Sequence, residues 1–172
     1  MKHLKPLTNY FVMLVISVGL LGISAKAYSQ ANQFADVKFY DMDGNASTLA
    51  DYKGKWVIVN LWATWCPPCL VEIPDLIMFH EKHSKVDAIV LGVNYEDISP
   101  EKVKTFAQSQ MINYPIVRFE GKPDGKTTPF GPLKGLPTTY MVTPEGKVVA
   151  ARTGLIDDKM LEEFIRNYNS IN

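Results

Sequence analysis

The chain holds only two cysteines in 172 residues, Cys66 and Cys69, so a framework of several disulfides is excluded. An excess of charge of either sign is also missing, since 18 Lys and Arg balance 18 Asp and Glu. Without a net positive charge or a Lys/Arg run there is no stripe for phosphates, which argues against nucleic acid as a partner. No internal repeat and no second domain is evident. The apolar stretch from Phe11 to Ile23 is short for a bilayer span of about twenty residues. What remains suits one soluble domain with a sizeable core, preceded by an N-terminal extension.

The two cysteines are spaced as a redox pair. Trp65-Cys66-Pro67-Pro68-Cys69 follows the apolar run Trp56–Trp62 and precedes a helix-like segment. This context puts both sulfurs at a helix N-terminus, where unsatisfied amides and the positive end of the dipole favour a thiolate. The thiolate attacks disulfides, and a second cysteine resolves the mixed disulfide. A purely structural bridge is the first alternative, but so short a loop restrains the unfolded chain little. Zinc is the second, because His80 and His83 follow. One helix running from Cys66 toward His83 would hold those histidines roughly 16 Å or more from Cys69, too far to share one ion. They are expected to be solvated or half-buried, and neither a metal nor a cofactor is expected.

Residues 1–29 read as an export signal. Lys2 and Lys5 form a basic start, Phe11–Ile23 an apolar centre, and Ala25-Lys26-Ala27 a small-x-small cleavage site. An uncleaved anchor facing the periplasm is the alternative, and membrane contact is expected only in that case. No cysteine lies near the cleavage region to carry a lipid. Export places the dithiol outside the reducing cytosol, where it needs an external electron donor or acceptor.

Residues 30–172 read as one α/β domain. Val37–Tyr40 with the turn Asp43-Gly44 predicts an N-terminal hairpin. Trp56–Trp62 and Val86–Val93 read as buried strands. Proline at 67 and 68 suits a first helical turn, and Pro74 is expected to kink the helix. Ser99-Pro100 opens a second helix with a serine cap. Tyr114–Val117 is a short strand, and residues 119–135 read as loop. Thr138–Val142 and Val148–Arg152 form a hairpin, and Asp157–Tyr168 a final amphipathic helix with Leu161, Phe164 and Ile165 inward. The order predicts a mixed central sheet flanked by helices on both faces.

Lys53–Cys69, together with Cys69-x-x-Glu72-x-Pro74 and Gly135-Leu136-Pro137-Thr138-Thr139, resembles the thioredoxin superfamily. More closely it is similar to the exported TlpA/ResA-like thiol-disulfide reductases, over about residues 34–172. The resemblance implies a thioredoxin-like fold and assigns roles. Cys66 is the more exposed nucleophile and Cys69 the resolving thiol. Pro137 is a cis-proline facing the dithiol, leaving the Leu136 backbone to pair with an extended substrate. Trp65 and Pro67 shape the substrate surface, while Trp62 packs in the core. Glu72, one turn beyond Cys69, is the acid that exchanges a proton with the buried thiol. The pattern alone leaves open a solvated glutamate that only favours the helix dipole. Cytosolic thioredoxins carry an Asp where this chain has Asn60, which cannot titrate.

The implied activity is reduction of protein disulfides in the periplasm, with apocytochrome c among the candidate substrates and a membrane-bound electron donor. A disulfide oxidase or isomerase is the first alternative, though no helical insertion typical of exported oxidases is present. A thiol peroxidase is disfavoured by Ala63, where such sites carry Thr or Ser. A non-catalytic binding module would need neither the cysteine pair nor the cis-proline.

Overall fold

The computed structural model describes residues 36–172, and the expected export signal at 1–29 lies outside the described residues. The chain enters with β1 (Lys38–Asp41) and β2 (Ala46–Thr48), antiparallel partners joined through Asp43-Gly44. The Asp41 carboxylate accepts the Asp43 and Asn45 amides, and Gly44 adopts φ +86°, which closes the predicted turn. A 3-10 turn (Leu49–Tyr52) leads to β3 (Trp56–Trp62), which is buried at every position.

Helix α1 (Pro67–His83) follows, then β4 (Ala88–Asn94), α2 (Pro100–Ser109) and β5 (Ile116–Phe119). Residues 119–135, expected to be loop, contain a small separate hairpin of β6 (Thr127–Thr128) and β7 (Gly131–Pro132). Asp124 organises it by accepting the Lys126 and Thr127 amides and the hydroxyls of Thr127 and Tyr95. β8 (Thr138–Val142), β9 (Val148–Thr153) and α3 (Asp158–Ile171) complete the fold.

The main sheet has seven strands in the order β2-β1-β5-β4-β3-β8-β9. β3, β4 and β5 are mutually parallel, and the remaining pairs are antiparallel. This is the mixed sheet expected, with β3 at its centre.

The helices divide unequally between its faces. Alternation along β3 turns Trp56, Ile58, Asn60 and Trp62 to one side. There Trp56 and Ile58 pack with Leu76 and Phe79 of α1 and Leu161 and Ile165 of α3, while Trp62 stacks on Phe106 of α2. The crossovers β3-α1-β4 and β4-α2-β5 step the same way along the sheet. Right-handed connections then place both helices on the same face. Val57, Val59 and Leu61 face the other side, which the 3-10 turn covers through Leu49 and Tyr52, helped by Phe130 and Leu133.

α1 carries Pro74 inside it and runs unbroken from Pro67 to His83. Ser99 occupies the N-cap of α2 with its backbone carbonyl, and its side chain makes no cap bond. His80 departs from expectation: it is buried, and its Nδ1 accepts the Val90 amide at 3.2 Å. Burial, with the Lys55 charge second, holds its pKa below the usual histidine value. His83 stacks on Phe79 and meets Asp87 at 2.9 Å. Among the described residues, no cluster of His, Cys, Asp and Glu is arranged to hold a metal ion.

Candidate active site

β3 delivers the chain to the cysteines. After Trp62 the backbone turns, with the Cys66 amide donating to the Ala63 carbonyl at 3.2 Å. Cys66 is the N-cap of α1, in extended conformation. Pro67 and Pro68 take the first two helical positions and have no amide to offer. The first free amide is that of Cys69, and it donates to the Cys66 Sγ at 3.3 Å. The sequence between the cysteines therefore leaves one helix-end donor where a non-proline turn would present three.

Cys66 and Cys69 form a disulfide, with Cα atoms 5.3 Å apart. In this oxidised state Cys66 is 2 % and Cys69 0 % exposed. Both pack with Trp62, Ala63 and Val103. The exposed surface belongs instead to their surroundings. Trp65 is 67 % and Val71 63 % exposed, and Pro67 and Pro68 are exposed beside them.

The Leu136–Pro137 bond is cis. Pro137 is buried, and its carbonyl accepts the Gly154 amide at 2.9 Å. Leu136 packs against the cluster that contains the two cysteines. It also lines, with Trp65, Leu133, Gly135 and Pro123, a cleft of about 360 Å³ whose remaining wall is Tyr95, Glu96, Asp97 and Gly125.

Glu72 is not on the surface. It is 1 % exposed on the sheet-facing side of α1. Its Oε1 accepts the Asn60 amide group at 2.6 Å, and its Oε2 accepts the backbone N–H of Ile156 at 3.1 Å. Asn60 also donates to Thr139 Oγ1 at 3.0 Å. Burial pushes the Glu72 carboxyl up to about 7, against the opposing pull of those two hydrogen bonds. One turn from Cys69, the chain thus carries an acid that changes charge near neutral pH.

Glu96 carries no motif signal in the sequence. It lies just past β4, at the carboxyl end of a parallel strand, where sites in α/β sheets gather. It is 7 % exposed and accepts the Thr64 amide at 2.8 Å, the Thr64 hydroxyl at 3.1 Å and the Asn94 side-chain amide at 2.7 Å.

A thioredoxin-like sheet with a redox-active cysteine pair capping its central helix defines a thiol-disulfide oxidoreductase. The chain belongs to the AhpC/TSA family, which matches residues 30–151. It is 28 % identical over 165 residues to thiol-disulfide oxidoreductase ResA of Bacillus subtilis, covering 92 % of this chain and 89 % of the relative. The protein of the same name in Bacillus thuringiensis is 32 % identical over 128 residues, covering 73 % and 70 %. Among solved structures, the exposed lipoprotein thioredoxin Etrx1 of Streptococcus pneumoniae superposes with a TM-score of 0.65 at 27 % identity, covering 77 % of this chain and 99 % of that one.

Proposed function

We propose that this oxidoreductase is an exported reductase of protein disulfides, with Cys66 as nucleophile, Cys69 as resolving thiol and Glu72 as proton carrier. The buried, hydrogen-bonded Glu72 one turn from Cys69 carries this reading. In the reduced enzyme the Cys66 thiolate attacks one sulfur of a substrate disulfide. A Cys66–substrate bond forms and the substrate disulfide breaks, releasing one thiolate. Cys69 passes its proton to the Glu72 carboxylate and attacks the Cys66 Sγ. The second substrate thiolate leaves, and the Cys66–Cys69 disulfide forms. Two electrons have passed to the substrate, and a dithiol donor must return them. A membrane-bound protein is the donor this reading requires.

The direction rests on the helix cap. Stabilising the Cys66 thiolate would make a stronger oxidant, and Pro67 and Pro68 remove two of the donors able to do so. The exposed Trp65, Pro67, Pro68 and Val71 beside the cysteines suit an unfolded polypeptide, and in this reading an extended substrate pairs with the Leu136 backbone. Apocytochrome c is a candidate of that kind. An extracytoplasmic location fits the N-terminal sequence and the likeness to the exposed lipoprotein thioredoxin of Streptococcus pneumoniae. Among the described residues no helix is long and apolar enough to cross a membrane.

Insulin reduction by wild type and Cys66→Ser, with the equilibrium potential of the dithiol, tests the reading. The expected potential lies nearer −270 mV, roughly thioredoxin's, than about −120 mV, that of DsbA. A value above roughly −180 mV, with thiols found mainly oxidised in living cells, would overturn it in favour of an oxidase.

A further inference from the structure

Glu96 has no part in the exchange steps above, yet it is a buried acid with three hydrogen bonds beside the dithiol. Every contact it makes is with a donor, the arrangement a carboxylate satisfies. Two of the three go to one residue, Thr64, through both its amide and its hydroxyl. Thr64 lies in the turn between β3 and Cys66, and a turn pinned at both groups of one residue has little freedom left. The support continues behind Glu96. Asn94 donates to it and accepts from Arg118 of β5, from Nε at 3.2 Å and Nη2 at 2.9 Å. The chain Arg118–Asn94–Glu96–Thr64 therefore ties two strands to the residue two positions before the nucleophile.

We propose that Glu96 is a positioning residue for disulfide exchange. It holds the Thr64-Trp65-Cys66 turn so that the Cys66 sulfur meets an incoming disulfide in line, and its negative charge disfavours the Cys66 thiolate. The inference rests on Cys66 being the attacking thiol. Thr64 and Cys66 have Cα atoms at most ~7.6 Å apart. The carboxylate that binds Thr64 is therefore fixed to the residue two positions before the sulfur-bearing Cys66, at a site only 7 % exposed where salt screens little. The charged groups around it are accounted for. Arg118 reaches Asn94 and not Glu96 itself, and the neighbouring Asp97 is exposed and paired with Lys122 at 2.7 Å. Glu96 also lines the cleft formed with Trp65 and Leu136. Its charge opposes the helix end, which favours a reductant, while the positioning speeds exchange in either direction.

Glu96→Gln separates the two effects, and Glu96→Ala removes both. Glutamine keeps an oxygen for the Thr64 and Asn94 amides and offers an N–H to the Thr64 hydroxyl. The measurements are the reaction rate of reduced protein with the small disulfide 5,5′-dithiobis(2-nitrobenzoate) and the thiolate absorbance of Cys66 against pH. Both are made in a Cys69→Ser background. Glu96→Ala is expected to react about tenfold more slowly, from lost alignment. Glu96→Gln is expected to recover the rate and to raise the thiolate fraction at pH 7 about threefold. Should the alanine variant not fold, Thr64→Val takes its place, removing the hydroxyl contact alone, with slowing again expected. Wild-type rates in the alanine or valine variant, a glutamine variant as slow as alanine, or an unmoved thiolate titration would each overturn the proposal. None of these readouts depends on insulin turnover, so a failed insulin assay sinks the reductase reading without touching this one.

Discussion

Asn60 donates its side-chain amide to Glu72 at 2.6 Å, bridging the centre of β3 to the first turns of α1 behind the disulfide. The pair stands where a titrating acid on the strand would otherwise sit. Here the strand supplies a neutral donor and the helix supplies the acid. Burial raises that acid to about 7, so its charge state divides near neutral pH.

A pH dependence of stability follows from this shift. The folded-state pKa of Glu72 lies above its unfolded value of 4.5, so the native state binds the extra proton between them. The associated stability is fully present below about pH 4.5 and is lost as pH rises through about 7. Glu72→Gln has no such proton to lose. Urea unfolding of oxidised protein at pH 4.5 and pH 8 should show wild type falling by roughly 1–3 kcal/mol relative to the variant. Equal changes in both proteins would mean that Glu72 does not titrate in this range.

The same variant should slow disulfide exchange while retaining the fold. Insulin reduction by Glu72→Gln is expected to drop about tenfold or more and to lose its inflection near pH 7. Rates unchanged from pH 6 to pH 9 would return Glu72 to a structural role.

Cys66 is expected to alkylate before Cys69. It caps the helix, whereas Cys69 is 0 % exposed one turn inward. Mass mapping after brief iodoacetamide treatment of reduced protein reads the order directly, and label mainly on Cys69 would reverse the two roles.

Trp65→Ala should weaken reduction of proteins but not of small disulfides. The indole is 67 % exposed beside the cysteines and is large enough to anchor a polypeptide. A loss of about tenfold in kcat/KM on insulin is expected. An equal loss on 5,5′-dithiobis(2-nitrobenzoate) would place the defect in the dithiol rather than the docking surface.

Gly92→Ala should destabilise the domain by about 1–3 kcal/mol through overpacking. A Cβ there would stand 2.8 Å from Tyr114 Cε2 and 3.1 Å from both Ile116 Cδ1 and Trp62 Nε1. The urea midpoint of the variant measures the effect, and a midpoint at the wild-type value would show that these rings yield freely.

Much of this architecture was legible because strong local signals agreed. Trp56–Trp62 carries an unbroken β-prone run and is the central strand; Asp43-Gly44 and Pro144–Lys147 mark turns that the chain does make. The cysteine pair announces its own helix cap. Other features depend on partners distant in sequence. Glu72 reads equally well as a surface glutamate until Asn60 and the Ile156 amide are brought to it. Glu96 is invisible as a motif because its meaning comes from Thr64, 32 positions earlier. The β6–β7 hairpin is only two residues a side, too short for an alternating pattern to register. His80 was within reach: it continues the buried line of Ile73 and Leu76 along α1, and only its polarity suggested solvent.

The bond from Ile156 to Glu72 gives that acid a second obligation, since Ile156 opens the segment that enters α3. An engineer who retunes the redox chemistry by replacing Glu72 also loosens the seat of the C-terminal helix. Pro67 and Pro68 carry no such debt, being exposed and lying directly between the sulfurs. Variation at those two positions is the route by which this scaffold could be moved toward an oxidant while its core stays as it is.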